Sequence, residues 1–207
     1  MIKNLLFDLG GVIMDIRREN CVKAMEGIGM ADANEYLGEY VQKGPFANIE
    51  DGEWDAAMFR NGIRSIIGSE VSDEAIDNAF NAFLIGIPGH RLRELEELHN
   101  KFKIYLVSNT NPIMWNSRIA QEFAKDGHDV NHYFDGEVRS YVARCMKPDK
   151  KIFDMVVEKF NISPEETLFL DDSKRNIDAA SKLGFNTLLV EPGNEFYALL
   201  RQNGYIN

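Results

Sequence analysis

The stretch Leu5-Leu6-Phe7-Asp8-Leu9-Gly10-Gly11-Val12-Ile13 stands near the start of this 207-residue chain. An apolar run closed by an aspartate and two glycines predicts a buried parallel strand ending in a tight loop. A carboxylate at the C-terminal end of such a strand lies where open α/β sheets bind ligands. Paired glycines let the backbone turn sharply and present its N–H groups, an arrangement suited to a phosphate oxygen. Read alone, the stretch is equally an ordinary strand-to-loop junction with a turn aspartate. Only the rest of the chain separates the two readings.

Beyond Asp15 the apolar pattern changes to helical spacing and stays there. Val22, Met25 and Ile28 recur by threes, and Tyr36, Leu37, Tyr40 and Val41 share a face. Trp54, Met58, Ile63, Ile66 and Ile67 form a third stripe; Ile76, Ala79, Phe80, Phe83 and Leu84 form a fourth, with Ser72 as its N-cap. Four helices with no strand between them predict a small helical bundle over residues 16–87, closed near Pro88-Gly89.

After that the chain alternates. A helix carrying Leu92, Leu95 and Leu98 precedes the strand Lys103-Ile104-Tyr105-Leu106-Val107, which ends in Ser108-Asn109. A helix with Met114, Trp115, Ile119 and Phe123 follows, then a less regular stretch with a short strand at 137–141. Lys147-Pro148-Asp149 opens another helix. Ser163-Pro164-Glu165-Glu166 allows one or two turns before the strand Thr167-Leu168-Phe169-Leu170, which ends in Asp171-Asp172-Ser173. A helix at 176–183, a strand at 186–190 and a terminal helix complete the pattern. Such alternation predicts a doubly wound parallel sheet of the α/β class, residues 1–15 and 88–207, interrupted after its first strand by the helical insertion.

The formal net charge is -10, and the sequence pI is near 4.9. An acidic chain is repelled by nucleic-acid phosphates and anionic membranes, so neither is an expected partner. Any anionic ligand must therefore be held locally, by a cation or a few basic groups. Cys21 and Cys145 lie far apart without metal-ligand spacing and read as buried free thiols of a reducing compartment. No signal-type segment is recognised and no apolar run approaches the ~20 residues of a membrane helix, so a cytoplasmic protein, a monomer or weak dimer, is expected.

Asp8, Ser108/Asn109, Lys147 and Asp171/Asp172 all fall at strand ends or helix starts, positions that share one edge of a parallel sheet. Asp8 with a later aspartate suits Mg²⁺, which takes a few carboxylates plus waters and substrate phosphate. Ser108 and Asn109 offer hydroxyl and amide groups to phosphate oxygens, and Lys147 a point charge.

On these four motifs the sequence resembles the haloacid dehalogenase superfamily. It is similar within it to the small bacterial phosphatases of the glucose-1-phosphate phosphatase type, which share the Ser108-Asn109-Thr110-Asn111 pattern. It also resembles the phosphatase domain of soluble epoxide hydrolases. The resemblance implies a Rossmann-like core with a helical cap and a phosphatase acting on a small phosphate ester, such as a sugar phosphate. It implies Asp8 as nucleophile, Mg²⁺ on Asp8, the Gly10 carbonyl and Asp172, and Asp171 and Asn176 in support. Ser108, Asn109, Lys147 and Gly11 would hold the phosphate.

One departure stands out. Most phosphatases of this superfamily carry a second aspartate two residues after the nucleophile, as general acid and base. This chain has Gly10 there. Either Asp15 or a carboxylate of the cap substitutes, or the step runs through water; the alternative is a catalytically weak or inactive phosphosugar-binding regulator. A receiver domain and a dehalogenase fit less well, because the acidic pair follows a late strand and suits a metal. His128 and His132 read as part of a polar loop, and the cap aromatics as bundle core, with cap residues 46–60 the candidates for substrate contact.

Overall fold

Leu5, Leu6 and Phe7 have no exposed surface, and their side chains divide between two hydrophobic clusters, Leu5 and Phe7 in one and Leu6 in the other. A strand buried on both faces belongs at the middle of a sheet covered on both sides. The structure, a computed structural model, describes residues 1–38 and 42–207. Its strands are β1 (Asn4–Phe7), β2 (Asp15–Ile16), β3 (Leu84–Gly86), β4 (Lys103–Ser108), β5 (Gly136–Arg139), β6 (Thr167–Asp171) and β7 (Asn186–Leu189). Five of them form a parallel sheet in the order β5-β4-β1-β6-β7. Ile104 and Leu106 of β4 and Leu168 and Leu170 of β6 fill the same cluster as Leu5 and Phe7; Tyr105, Val107 and Phe169 fill the other. The α/β reading of the sequence holds.

Register puts the polar ends together. Phe7 is level with Leu106 on one side and Leu170 on the other. Asp8 and Asp171 each stand one residue past that level, and Ser108 two past it.

The chain leaves the sheet through β2 and returns through β3, which pair as a two-stranded antiparallel ribbon. Between them lie α1 (Arg18–Gly27), α2 (Ala33–Tyr36), α3 (Pro45–Glu50), α4 (Ala56–Ile67) and α5 (Asp73–Asn81). The described residues form five helical segments where periodicity predicted four: α2 is a single turn ending at Tyr36, and the added segment is α3, opened by Pro45, which no apolar stripe marked. Tyr40 and Val41 lie outside the described residues. Met58 points to solvent, and Phe59 with Ile63 carries the buried stripe of α4 instead. Phe46, Phe59 and Phe80 pack with ring centroids 4.8–5.3 Å apart as the centre of the bundle. Ser72 caps α5, accepting a hydrogen bond from the Ala75 N–H, but the helix stops at Asn81 and Leu84 belongs to β3.

The remaining helices cover the sheet: α6 (Gly89–His99), α7 (Pro112–Met114), α8 (Ala120–Phe123), α9 (Val130–Tyr133), α10 (Ser140–Ala143), α11 (Lys150–Phe160), α12 (Lys174–Lys182) and α13 (Phe196–Gln202). A π-helical turn, Trp115–Ile119, joins α7 to α8 without a break. β5 starts one residue before the predicted strand and ends at Arg139, where α10 begins, and α12 starts two residues before its predicted bound. No helix among the described residues is long and apolar enough to cross a membrane.

Candidate active site

A cavity of about 580 Å³ opens at the C-terminal edge of the sheet, between the sheet and the insertion. Asp8, Gly10, Ser108, Asn109, Lys147, Asp172 and Asn176 all line it. Motifs separated by up to 168 positions in sequence thus meet in one place, because β1, β4 and β6 are adjacent strands.

Lys147 is the hub. Its Nζ lies 2.6 Å from Asp8 Oδ1 and 2.8 Å from Asp171 Oδ2, and donates to the Val107 carbonyl at 3.1 Å. All three ammonium protons thus have acceptors. Burial works against the charge of Lys147, but Asp171 and Asp8 hold its pKa above the usual lysine value. Asp171 is fully buried and accepts from Lys147, from the Ser173 N–H at 2.8 Å and from Asn176 Nδ2 at 3.0 Å. Those bonds fix its orientation, so it acts on the site by holding Lys147.

Burial pushes the Asp8 carboxyl up, Lys147 pulls it back, and Asp171 and Asp172 add to the rise; the balance is about 7. Carboxylate oxygens of Asp8, Asp171 and Asp172 lie within 4.8 Å of one another. Three acids against one lysine leave an excess of negative charge on hard oxygen donors. That donor set fits Mg²⁺ and not a soft metal, and a divalent ion would relieve the repulsion that raises Asp8.

Three sequence-derived roles change. Gly11 does not line the cavity; its N–H donates to the Met14 carbonyl at 2.9 Å and so is not turned toward a phosphate. Its φ is +74°, and a Cβ there would collide with the Asp172 carboxylate. Gly11 therefore makes room for Asp172 rather than binding the ligand. The Asn109 side chain is also engaged elsewhere: its Oδ1 accepts from the Lys147 N–H and its Nδ2 donates to the Lys147 carbonyl, at 2.9 and 3.0 Å. This amide clasp fastens the Lys147 loop to the end of β4. Ser108 is buried and lines the cavity, and among the described residues its hydroxyl makes only a long contact of 3.5 Å with the Asn109 carbonyl.

Asp15 is the third. It lies outside the cavity lining and pairs with Arg91 at 2.8 Å. Arg91, which the sequence reading passed over, is buried; it also reaches the Ile13 carbonyl and grips Glu195 through two bonds of 2.8 and 2.9 Å. A carboxylate held by this arginine, away from the cavity, is not available to replace a general acid.

Glu50 was not singled out by sequence. It stands at the C-terminal end of α3 and lines the cavity, and burial, with a smaller push from Asp51, raises its carboxyl to about 8. Its only sequence signal was its place within 46–60. His128 and His132, read as loop residues, meet outside the cavity: His132 is in α9, the rings stack at 3.7 Å, and Glu96 Oε1 lies 2.8 Å from His132.

The chain belongs to the haloacid dehalogenase-like hydrolase family, whose model matches residues 2–184. It is 36% identical over 196 residues to the D-ribitol-5-phosphate phosphatase of Bacteroides thetaiotaomicron, covering 95% of each chain. A solved enzyme of the same family and organism, in complex with magnesium and inorganic phosphate, is 39% identical. It superposes with a TM-score of 0.91 over 97% of this chain and all of that one. A family hydrolase from Porphyromonas gingivalis is 31% identical, with a TM-score of 0.91 over 99% of this chain and 98% of its own.

Proposed function

We propose that this protein is a Mg²⁺-dependent phosphomonoesterase acting on a small phosphorylated metabolite, a sugar or sugar-alcohol phosphate, through an aspartyl-phosphate on Asp8. The observation that carries the reading is the Asp8–Lys147–Asp171 chain, with Asp172 beside it, at the floor of a cavity. The named activity of the Bacteroides relative supports the substrate class.

In this reading residues 1–15 and 88–207 are the core and 16–87 a cap that shields the reaction from water. Asp8, the Gly10 carbonyl and Asp172 hold the metal, which when bound offsets charge between Asp8 and the phosphoryl oxygens. Lys147 and the Ser108 hydroxyl orient the phosphoryl group. Asp171 and Asn176 position Lys147. An Asp8 oxygen attacks phosphorus, and the bond to the leaving oxygen breaks. The leaving alkoxide takes its proton from water, since Gly10 brings no carboxylate and Asp15 is held by Arg91. A water molecule then attacks the acyl phosphate, releasing inorganic phosphate and the Asp8 carboxylate.

The second reading, a silent phosphosugar-binding regulator, rests on the same Gly10. Phosphate release from a panel of sugar and sugar-alcohol phosphates, with and without Mg²⁺, separates the two. Turnover that needs Mg²⁺ and falls by at least ~10³-fold in Asp8→Asn is expected. Binding of phosphosugars without turnover of any ester would establish the regulator instead.

A further inference from the structure

The insertion turns two kinds of surface toward the cavity. Ile16, Leu37, Phe80, Phe83 and Leu84 are apolar; Gln42 and Glu50 are its two polar side chains among the described lining residues. Neither has a hydrogen-bond partner among the described residues. Gln42 Oε1 is buried without a hydrogen bond, and Glu50 makes no side-chain hydrogen bond or ion pair. A buried amide oxygen left unmatched is costly, so polar groups placed in an apolar wall belong to a partner that completes them.

We propose that Glu50 and Gln42 form a hydroxyl-binding subsite that takes the polyol chain of the phosphate ester, opposite the phosphate end at Asp8 and Lys147. This rests on the phosphomonoesterase reading and names the half of the substrate that reading leaves open. The chemistry of the pair narrows the class. With its carboxyl raised to about 8, Glu50 is mostly protonated near neutral pH and, like the Gln42 amide, both donates and accepts. Uncharged donor–acceptor groups match hydroxyls, which also do both. A second phosphate or a sulfate would need cations, and the described lining residues of the insertion include none. Apolar neighbours then pack on the carbon chain. Specificity of this kind is strong, because a ligand lacking the hydroxyl leaves the buried groups unpaired.

Ribitol 5-phosphate and n-pentyl phosphate test it, since they carry the same carbon count and differ in their hydroxyls. Dissociation constants measured by calorimetry in an Asp8→Asn background read binding without turnover. The parent is expected to favour ribitol 5-phosphate by at least ~10-fold, the worth of a neutral hydrogen bond or more. Glu50→Leu is expected to cut that preference by ~10-fold, and Glu50→Gln, which keeps a neutral donor and acceptor, to retain most of it. Thermal melting of each variant confirms folding. An unchanged ribitol/pentyl ratio in both Glu50→Leu and Gln42→Leu would overturn the subsite. Failure of the phosphatase reading looks different: parent protein without the Asp8 change would then release no phosphate from either ester, whatever the binding ratio.

Discussion

Gly10 and Gly11 stand side by side in the loop after Asp8, yet they are glycine for different reasons. Gly11 has a positive φ and no room for a Cβ beside Asp172. Gly10 has neither constraint: a Cβ built there meets the Ile16 side chain at 3.4 and 3.6 Å, ordinary contact distances. The missing carboxylate two residues after Asp8 is therefore not imposed by the backbone. Gly10→Asp is expected to fold with an unfolding temperature close to wild type, whereas Gly11→Ala is expected to lose stability and metal affinity together. If leaving-group protonation limits turnover, Gly10→Asp raises kcat for alkyl phosphates by ~10²-fold or more, the usual range for general acid catalysis. p-Nitrophenyl phosphate, whose leaving group needs no proton, changes little. Steady-state kinetics on the two esters reads the contrast directly. Equal effects on both would remove proton transfer as the explanation.

The insertion is joined to the core by the β2–β3 ribbon, and the charged groups around it were the least legible part of the chain. The strands of the sheet were readable because each is an unbroken apolar run, and α5 because Ser72 and its acidic first turn announce a helix start. Arg91 carries no such signal. It sits in a helix among other charged residues, and its partners Asp15 and Glu195 are 76 and 104 positions away. Glu122 is similar: buried in α8, it accepts from the Ile87 N–H at 2.7 Å and pairs with Arg118 and Lys125. Both charges are buried only because the ribbon and its neighbours fold over them. Arg91 joins the loop after β1, the start of α6 and the segment before α13, so its loss should loosen all three. Removing one partner of a buried pair costs about 3–5 kcal/mol when a buried charge is left behind. Here the side chains of Asp15 and Glu195 are 47% and 40% exposed and can rehydrate, which lowers the expected cost of Arg91→Met to ~1–3 kcal/mol. At about 2–4 °C per kcal/mol for a chain of this size, calorimetry resolves the change. A variant melting with wild type would mean the arginine contributes nothing net.

Across the whole molecule, the candidate site is itself rich in acids, and the chain around it carries a net charge of -10. Sequence singled out Asp8, Lys147, Asp171 and Asp172 because they fall at strand ends and a helix start, where topology alone brings them together. Glu50 was not legible, since a glutamate closing a short helix reads as solvated until it is seen to line the cavity. Burying such acids has a consequence for stability as pH changes. Burial raises the Glu50 carboxyl from its ordinary 4.5 to about 8, and the Asp8 carboxyl from 3.8 to about 7. Between those limits the folded state keeps protons that the unfolded chain has released, so stability falls as pH rises. Their contribution is fully present below about pH 4 and is lost as pH passes through 7 and 8. Glu195 runs the other way: Arg91 holds it down at about 2, so its contribution is present above about pH 4.5 and fades as pH falls toward 2. Glu50→Gln removes the first slope at one position while keeping shape and polarity. Among the described residues, the charged and titratable neighbours of Glu50 are Asp51 on the same chain segment and Cys21 of α1. Cys21 is held at about 12 by burial and stays neutral throughout the range. The variant is therefore expected to melt with wild type near pH 4 and above it by pH 9. The gap should reach ~1–3 kcal/mol, less than the full shift because water reaches part of the side chain. Melting curves taken at intervals from pH 4 to 9 in the absence of divalent ions measure it. A gap that does not widen with pH would mean that Glu50 is ionised in the folded protein, and the donor half of its pairing with a substrate hydroxyl would go with it.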